Sequence, residues 1–339
     1  MKCLVVGGTG FLGGAIVETL HRTGEDVTVL TRGKTNRKLP DAVKTISTDR
    51  FGDLSELKDV HFDWIFDTCA FEPKAVSRLL ETVGASCQRY VLISSISAYD
   101  TFSQPNLNES DPVPDATADD LALANSLSDE ARGSALSYGE SYGRLKRACE
   151  QTAEQILGDR ATVLRVGLLI GAGDYTDRLT WWVRRLDEAR GDRKRVPAPA
   201  PYERLVQMID VFDVADFALK CAQSKLHGVW NVTGRPQPLS EVLEAIIEVS
   251  SSEAELVWVS EKSILKARIS PWTDIPLMAP AIPEFRYFLE VSTQKAEEHG
   301  LVCRPLNQTL NGLLDWDRAH RDRAMTSGMD TNQEALLLE

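Results

Sequence analysis

A tyrosine and a lysine at helical spacing could carry out acid–base chemistry in this protein. Tyr142 and Lys146 stand four residues apart in the segment "SYGESYGRLKRACEQ", so a helix there places both on one face. A nearby ammonium stabilises a phenolate, which lets a tyrosine exchange a proton with a hydroxyl or carbonyl group near neutral pH. Tyr138 lies one turn earlier and competes for the role, but the residue four positions after it is Tyr142 rather than a lysine.

A serine-rich segment precedes this helix. The stretch "VLISSISAYD" reads as the end of a strand and contains Ser94, Ser95 and Ser97. A serine hydroxyl at that position could orient the same substrate oxygen as the tyrosine. Because Tyr-x-x-x-Lys is also common on ordinary helices, its meaning depends on the elements around it.

Glycines cluster close to the start of the chain. Residues 6–14 read "VGGTGFLGG", in which Gly8, Gly10 and Gly13 fit G-x-G-x-x-G. The cluster follows the apolar run "KCLVVG" and opens a segment with helical periodicity. Glycine in that place lets the backbone approach a pyrophosphate, and the helix N-terminus supplies free N–H groups for it. The pattern predicts a dinucleotide-binding turn made of Gly7, Gly8, Thr9, Gly10, Phe11, Leu12 and Gly13.

The elements that position these residues alternate between strand and helix. The apolar runs "KCLVVG", "DVTVLT", "HFDWIFDTCA" and "RYVLISSIS" are separated by helical segments. Buried strands alternating with helices predict an α/β fold with a doubly wound parallel sheet, the Rossmann type. We expect a dinucleotide-binding domain over 1–165 plus about 206–233. A substrate lobe over about 166–205 plus 234–316 and a C-terminal tail over 317–339 complete the predicted organisation.

The end of the second strand bears on cofactor choice. An Asp or Glu there would bind the ribose 2′-hydroxyl of NAD. The sequence instead reads "VLTRGK", which supplies Thr31, Arg32 and Lys34, and Arg37 follows closely. A guanidinium can bind a 2′-phosphate through two hydrogen bonds, so the pattern favours NADP over NAD. The alternative is that Arg32 is a solvated loop residue beside the adenine.

Composition limits the partners. Among 339 residues, 50 are acidic and 38 basic, which gives a net charge of −12 and speaks against a nucleic-acid-binding surface. No apolar run approaches the roughly 20 residues that span a bilayer, and no leader pattern precedes the first strand. The six cysteines are scattered without metal-ligand spacing, so we expect no metal site. These features predict a cytoplasmic monomer or homodimer that acts on a small molecule, with no membrane partner.

Taken together, these motifs resemble the extended short-chain dehydrogenase/reductases, the NAD-dependent epimerase/dehydratase family. The resemblance rests on the glycine turn, "DTCA", the serine strand and "YGRLK". It continues through "VLRVGLLIGAGD", "VQMIDVFDVADFAL", "GVWNVTG" and "EVSTQKAEEHGL", and covers roughly residues 1–316. It implies that Tyr142 is the catalytic acid/base and Ser95 the catalytic hydroxyl. Lys146 would bind the nicotinamide ribose and stabilise the Tyr142 phenolate.

The resemblance also implies further cofactor contacts. Asp49 matches the residue near the adenine, and Arg50 follows it. Thr68, Cys69 and Ala70 match the segment along the ribose and phosphates. The segment beside the nicotinamide corresponds to Val166, Gly167 and Leu168.

Three functions stay open from the sequence. The first is an NADP-dependent reductase or dehydrogenase of a small carbonyl or alcohol compound, and the second is an epimerase or dehydratase of a sugar or nucleotide-sugar that recycles its cofactor. The third is a non-catalytic nucleotide- or RNA-associated relative. Leu168 stands where nucleotide-sugar members carry an Asn, which disfavours a diphospho-sugar unless Arg184, Arg185 or Arg204 compensates.

Two sequence features have alternative interpretations. The adjacent Trp181 and Trp182 are expected in the lobe core, with the cleft as the alternative. The acidic segment 101–137 is either a lid over the site or a solvated insertion.

Overall fold

The apolar runs near the start of the chain pair into one parallel sheet. The computed structural model describes residues 1–35, 37–280 and 282–339. The sheet has seven strands, and every neighbouring pair is parallel. They are β1 (Lys2–Val6), β2 (Asp26–Thr31), β3 (Lys44–Ser47), β4 (Trp64–Asp67), β5 (Arg89–Ser95), β6 (Ala161–Val166) and, later in the chain, β11 (Gly228–Val232).

The order of the strands creates a binding crevice. They follow one another across the sheet as β11-β6-β5-β4-β1-β2-β3. From β1 the chain first adds β2 and β3 on one side, and then adds β4, β5, β6 and β11 on the other side of β1. Ligands of such sheets bind outside the carboxyl ends of the strands at this switch point. The doubly wound fold predicted from the sequence is therefore confirmed.

Helices cover both faces of the sheet. One face packs against α1 and α6 in a single apolar cluster, and the other packs against α2 and α4. Helix α2 (Pro73–Val83) begins at a proline, whose fixed φ suits a first helical turn, and Gly158 caps the C-terminus of α4 (Tyr142–Leu157). The α-helices of the described residues are α1 (Phe11–Arg22), α2 (Pro73–Val83), α3 (Ala118–Ser126), α4 (Tyr142–Leu157), α5 (Arg178–Asp187), α6 (Val211–Gln223), α7 (Leu239–Ser250), α8 (Glu261–Lys266), α9 (Gln294–Glu298), α10 (Leu306–Ala319) and α11 (Thr331–Leu338).

A second apolar core lies among the residues that follow β6 but belong to neither the seven-stranded sheet nor α6. Helices α5, α7 and α10 pack around it, and Trp181 and Trp182 lie inside it, in the core position expected of them. The indole Nε1 of Trp182 donates a hydrogen bond to the carbonyl oxygen of Pro276 at 2.8 Å. Three two-stranded pairs border this core: β7 (Leu168–Ile170) with β10 (Met208–Asp210), β8 (Arg195–Pro199) with β13 (Glu255–Val259), and β9 (Leu205–Val206) with β12 (Gln237–Pro238).

The C-terminal residues pack on this second core through ion pairs. Arg184 and Arg185 of α5 bind Asp317 and Glu334, each at 2.7 Å. All four side chains are largely buried, so the pairs hold residues 317–339 against α5. Every helix within 1–35, 37–280 and 282–339 is too short or too polar to cross a membrane.

Segment 101–137 divides into two parts. Its beginning is tied to residues 284–292, since the backbone N–H of Phe102 donates to Glu284 at 2.6 Å and that of Ser292 donates to Leu107 at 2.9 Å. Helix α3 follows, with Thr117 and Asp120 capping its first turn reciprocally. The residues after α3 reach the carboxyl edge of the sheet.

Candidate active site

A cleft lies along the carboxyl ends of β1, β2, β4, β5 and β6. Its volume of about 650 Å³ lies within the range of roughly 300–1,000 Å³ that holds small molecules and cofactors. Many residues predicted to bind cofactor line it: Gly7, Thr9, Gly10, Phe11, Leu12, Gly13, Thr31, Arg32, Lys34, Asp49, Arg50, Thr68, Cys69, Tyr142, Lys146, Val166 and Gly167.

The glycine turn brings the start of α1 against the end of β1. The N–H of Gly10 donates to the carbonyl oxygen of Gly7 at 3.0 Å. A Cβ atom on Gly13 would stand 2.2 Å from that same oxygen, so only glycine fits there. The free N–H groups at the start of α1 consequently border the cleft, where they suit a phosphate. This cradle fits the pyrophosphate of a dinucleotide.

Cationic side chains surround the far end of the cleft, beyond β2. Arg32, Lys34 and Arg37 follow β2 and line the cleft there, and Arg37 is paired with Glu18. Arg50 and Arg132 also line the cleft, paired with Asp67 and Glu72. Asp49 is the only acidic residue among the cleft-lining residues that the structure describes. The carboxylate of Asp49 lies 3.8 Å from Arg32, whose guanidinium also donates to the carbonyl oxygen of Asp129 at 2.9 Å.

Arg50 is committed to a buried network in the floor of the cleft. Its two terminal nitrogens donate to the two carboxylate oxygens of Asp67 at 2.8 and 2.7 Å, and the hydroxyl of Tyr90 donates to Asp67 at 2.7 Å. Burial alone would raise the pKa of Asp67, but the charge and hydrogen bonds of Arg50 and Tyr90 hold it below its usual range. Arg50 therefore fixes the end of β4 through Asp67.

Tyr142 and Lys146 lie together at the other end of the cleft. The buried Nζ of Lys146 donates to the carbonyl oxygens of Ala70 at 2.9 Å and Ile93 at 2.8 Å. It also lies 4.9 Å from the ring centre of Phe71 and 5.9 Å from that of Tyr142. Two of the three ammonium donors are thus used by the protein.

Tyr138, the competing tyrosine, is occupied elsewhere. Its hydroxyl is buried and donates to Glu72 at 2.9 Å. Burial and the neighbouring Glu72 carboxylate raise the pKa of Tyr138 well above its ordinary value. Tyr138 is also absent from the described lining of the cleft, whereas Tyr142 belongs to it. The geometry favours Tyr142 as the acid/base.

The serine strand reaches the same end of the cleft. Ser95 lines the cleft, and its hydroxyl donates to that of Ser97 at 3.1 Å. Helix α4 comes very close to this turn because a Cβ on Gly143 would lie 2.0 Å from the carbonyl oxygen of Ser97. Because Tyr142 directly precedes Gly143, this contact places Tyr142 beside the serines.

Three residues expected to bind cofactor lie behind the cleft surface. Gly8 faces β2, since a Cβ there would lie 2.7 Å from Val29. The carbonyl of Ala70 accepts from Lys146, as described above. Leu168, expected beside the nicotinamide, is half-buried and packs on the second core, and the described cleft lining includes Leu169. Successive residues of a strand face opposite sides, so the side chains of Leu168 and Leu169 point apart, and the contact of Leu168 with the cofactor stays a prediction.

Several cleft residues carried no signal in the sequence. Phe71 and Tyr175 lie in loops without a motif, and Arg132, Gly133 and Ala135 follow α3. The guanidinium of Arg132 lies 4.7 Å from the ring centre of Phe51, another cleft residue. The acidic insertion therefore contributes to the cleft after all. Among the residues that the structure describes, no group of three or more His, Cys, Asp or Glu side chains could hold a metal ion.

A phosphate cradle at one end of a cleft and a Tyr–Lys pair at the other, on a doubly wound sheet, agree with the comparison to known families. The model of the NAD dependent epimerase/dehydratase family matches residues 3–233, which is more than half of the chain. The chain belongs to this family. It is thus an enzyme of the extended short-chain dehydrogenase type, as the resemblance implied. No curated protein matches this sequence significantly.

Solved epimerases share its fold over nearly the whole chain. A UDP-glucose 4-epimerase has a TM-score of 0.67 and a sequence identity of 16% to this chain. The match covers 96% of this chain and 99% of the epimerase. The UDP-N-acetylglucosamine 4-epimerase of Methanobrevibacter ruminantium M1, in complex with UDP-N-acetylmuramic acid, has a TM-score of 0.66 and a sequence identity of 16%. The match covers 94% of this chain and 98% of that epimerase. The UDP-glucuronic acid 4-epimerase of Bacillus cereus, in complex with NAD, has a TM-score of 0.65 and a sequence identity of 14%. That match covers 94% of this chain and 99% of the epimerase. At these identities the likeness shows the fold.

Replacing Gly13 by alanine tests the glycine turn. The added Cβ would collide with the carbonyl of Gly7, so the turn must open. Overpacking of this kind costs about 1–3 kcal/mol, so NAD and NADP should bind about 10- to 100-fold more weakly in calorimetric titrations. Gly312→Ala is the matched control, because nothing lies within 4 Å of a Cβ on that helical residue. Equal cofactor affinity in the two variants would contradict this assignment.

Proposed function

We propose that this enzyme oxidises and reduces a hydroxyl-bearing carbon and recycles its nicotinamide cofactor within each turnover, as an epimerase or dehydratase of a sugar derivative does. The cofactor, when bound, would accept a hydride from that carbon and return one. The observation that carries the proposal is the position of Tyr142 and Lys146 in a cleft whose other end is a phosphate cradle.

Three side chains would handle the proton. Tyr142 would take the proton of the substrate hydroxyl as its carbon is oxidised and give it back on reduction. Ser95 would hydrogen-bond the same oxygen and fix its direction. Lys146, held by two backbone carbonyls, keeps one N–H for the cofactor ribose and places a positive charge near the phenolate.

Retention of the cofactor is supported by the residues after α3. Arg132, Gly133 and Ala135 line the cleft from the insertion side. Arg132 is anchored beside the buried carboxylate of Glu72 at 3.3 Å, and the hydrogen bond from Arg32 to Asp129 joins the same segment to β2. A bound dinucleotide would be covered by this segment, which slows its release. Slow release suits an enzyme that returns the hydride to the substrate.

The sequence argument against a nucleotide-sugar depends on Leu168 alone. Leu168 is half-buried and packs on the second core, and a nucleotide-sugar remains compatible with the cleft if other residues bind it. The arginines considered as compensation are engaged, since Arg184 and Arg185 bind the C-terminal residues and Arg204 donates to Ala200 at 3.0 Å. A nucleotide-sugar is therefore within the proposed substrate class, and its recognition must use other residues.

A net NADPH-dependent reductase is the second candidate. It is favoured by Arg32 and Lys34, which follow β2 and line the cleft, where Asp49 is the one carboxylate within the described lining. Those cations suit a 2′-phosphate, which distinguishes NADP from NAD. The presence of Ser95, Tyr142 and Lys146 around one cleft speaks against a non-catalytic relative.

A substrate panel separates the two candidates. The protein is incubated with reduced or oxidised cofactor and a set of sugars, nucleotide-sugars and simple carbonyl compounds. Cofactor absorbance and product formation by NMR are followed together. Product formation without steady cofactor consumption supports recycling. Stoichiometric consumption of the reduced cofactor would overturn it in favour of the reductase.

Tyr142→Phe tests the proton transfer. The variant keeps the ring and loses the exchangeable proton, so turnover should fall about 10²- to 10⁴-fold while cofactor affinity stays nearly unchanged. Tyr138→Phe is the control, because the Tyr138 hydroxyl is bonded to Glu72 outside the described cleft lining. A larger loss of turnover in Tyr138→Phe than in Tyr142→Phe would reverse the assignment.

Arg32→Asp tests the cofactor preference that we propose, NADP over NAD. A hydrogen bond to a charged group contributes roughly 1.5–3 kcal/mol, so the unmodified protein should bind NADP about 10- to 100-fold more tightly than NAD. The aspartate should reverse this order, since it repels a 2′-phosphate and can accept from a 2′-hydroxyl. The exposed Arg190→Asp should change neither affinity. Tighter binding of NAD by the unmodified protein would show that Arg32 plays no such part.

A further inference from the structure

The loop between β7 and α5 carries Tyr175 to the catalytic end of the cleft. Gly173 and Tyr175 both line the cleft, as Tyr142 does. Desolvation, Asp174 and Tyr142 raise the pKa of Tyr175 above its ordinary value, so the two phenols lie near each other. The side chain of Tyr175 is nevertheless 70% exposed, and it therefore stands at the mouth of the cleft.

The loop does not hold this shape by its own backbone preferences. Gly171 and Gly173 have φ values of 137° and 87°, which glycine adopts far more readily than other residues. Asp177, the last residue before α5, has a φ of 57°, a left-handed conformation that is uncommon for a non-glycine residue. Because such conformations persist only where the surrounding structure fixes them, contacts from outside must hold the loop.

Segment 323–328, which lies between α10 and α11, supplies these contacts to the backbone of the loop. The hydroxyl of Thr326 donates to the carbonyl oxygen of Tyr175 at 2.9 Å. The hydroxyl of Ser327 donates to the carbonyl oxygen of Thr176 at 2.7 Å. Two consecutive loop residues are thus held by two consecutive residues of the segment.

The side chain of Asp177 provides a third, charged contact with the segment. Its buried carboxylate accepts from both terminal nitrogens of Arg323 and, at 2.8 Å, from the backbone N–H of Thr326. Burial alone would raise the pKa of Asp177, but the hydrogen bonds of Arg323 and Thr326 hold it below its usual range. Since a buried carboxylate is costly without a cationic partner, Arg323 fixes the loop at its junction with α5.

The segment is itself held against the second core. Gly328 packs directly on Trp181, since a Cβ on this glycine would lie 1.8 Å from the indole. The guanidinium of Arg323 also lies 5.2 Å from the ring centre of Trp316 in α10, a cation–π geometry. Segment 323–328 therefore links the second core to the mouth of the cleft.

We propose that Tyr175 closes the catalytic end of the cleft to solvent, and that Arg323 and Thr326 position it there from outside the cleft. Neither Arg323 nor Thr326 belongs to the described lining of the cleft, so both act through Tyr175. Enclosure suits hydride transfer because it keeps water from the reacting carbon. This role of Tyr175 rests on the proposed function, since it assumes that the reacting ring of the cofactor lies beside Tyr142.

Quenching of a bound reduced cofactor tests the enclosure without turnover. The protein is loaded with NADPH or NADH, whichever binds more tightly, and the nicotinamide fluorescence is followed while the neutral quencher acrylamide is added. Tyr175→Ala and Arg323→Met should both raise the quenching constant while cofactor affinity stays nearly unchanged in calorimetric titrations. Arg323→Lys keeps a charged hydrogen bond to Asp177 and should restore most of the shielding. Equal quenching in the unmodified protein and in Tyr175→Ala would overturn the proposal.

A double variant shows whether Arg323 acts through Tyr175. If it does, adding Arg323→Met to Tyr175→Ala raises the quenching constant no further, whereas effects of independent sites add. Additive effects would remove the positioning role of Arg323. Thr326→Val loses only one hydroxyl and gives the same comparison in a fold that keeps the buried ion pair.

Amide hydrogen exchange measures the anchoring of the loop without cofactor. Exchange in a peptide covering residues 172–178 should be about 2- to 10-fold faster in Thr326→Val, which loses a neutral hydrogen bond. It should be about 10- to 100-fold faster in Arg323→Met, which loses hydrogen bonds between charged groups. Arg318→Met is the matched control, because it removes an ion pair with Asp187 at the other end of α5 and should leave this peptide unchanged.

The outcomes of these measurements separate this proposal from the proposed function. Unchanged exchange in Thr326→Val and Arg323→Met would show that the segment does not position the loop. Faster exchange without a change in quenching would assign Arg323 a purely structural role. Failure of hydride transfer with every substrate would overturn the proposed function and leave both measurements intact.

Discussion

The close approach of Gly13 to the carbonyl of Gly7 is the contact on which the cofactor half of this protein depends. No side chain fits between them, so α1 starts directly at the carboxyl end of β1. The parallel sheet then brings the ends of the neighbouring strands to the same edge, where Thr31, Thr68 and Val166 line the cleft. A shared edge is a general property of parallel strands, and the glycine turn determines what that edge can bind.

A buried amide of β11 holds three segments together beside the serine turn. Asn231 of β11 accepts from the hydroxyl of Tyr99 at 3.0 Å and donates to the carbonyls of Leu107 at 3.3 Å and Ser292 at 3.1 Å. One buried amide thus links the serine turn, the acidic insertion and the residues before α9. The insertion is anchored at its beginning by backbone hydrogen bonds, and its later residues Arg132, Gly133 and Ala135 line the cleft.

Features set by local sequence were the ones that could be predicted. The buried strands, the glycine turn and the helical pair Tyr142 and Lys146 each have a short-range pattern, and family membership followed from their combination. Which of Leu168 and Leu169 lines the cleft could not be predicted, because one residue of register reverses every side chain of a strand. Arg132 escaped prediction because it comes from an irregular segment with no periodicity, and only the folded chain brings it to the cleft.

The most direct test of the account is to identify the nucleotide that the protein retains. The protein is purified without added cofactor, passed through gel filtration and denatured, and the released small molecules are analysed by mass spectrometry. A covered cleft with a recycled cofactor predicts one nicotinamide dinucleotide for nearly every chain. Nucleotide-free protein that also fails to bind NAD, NADH, NADP or NADPH in calorimetric titrations would contradict the account.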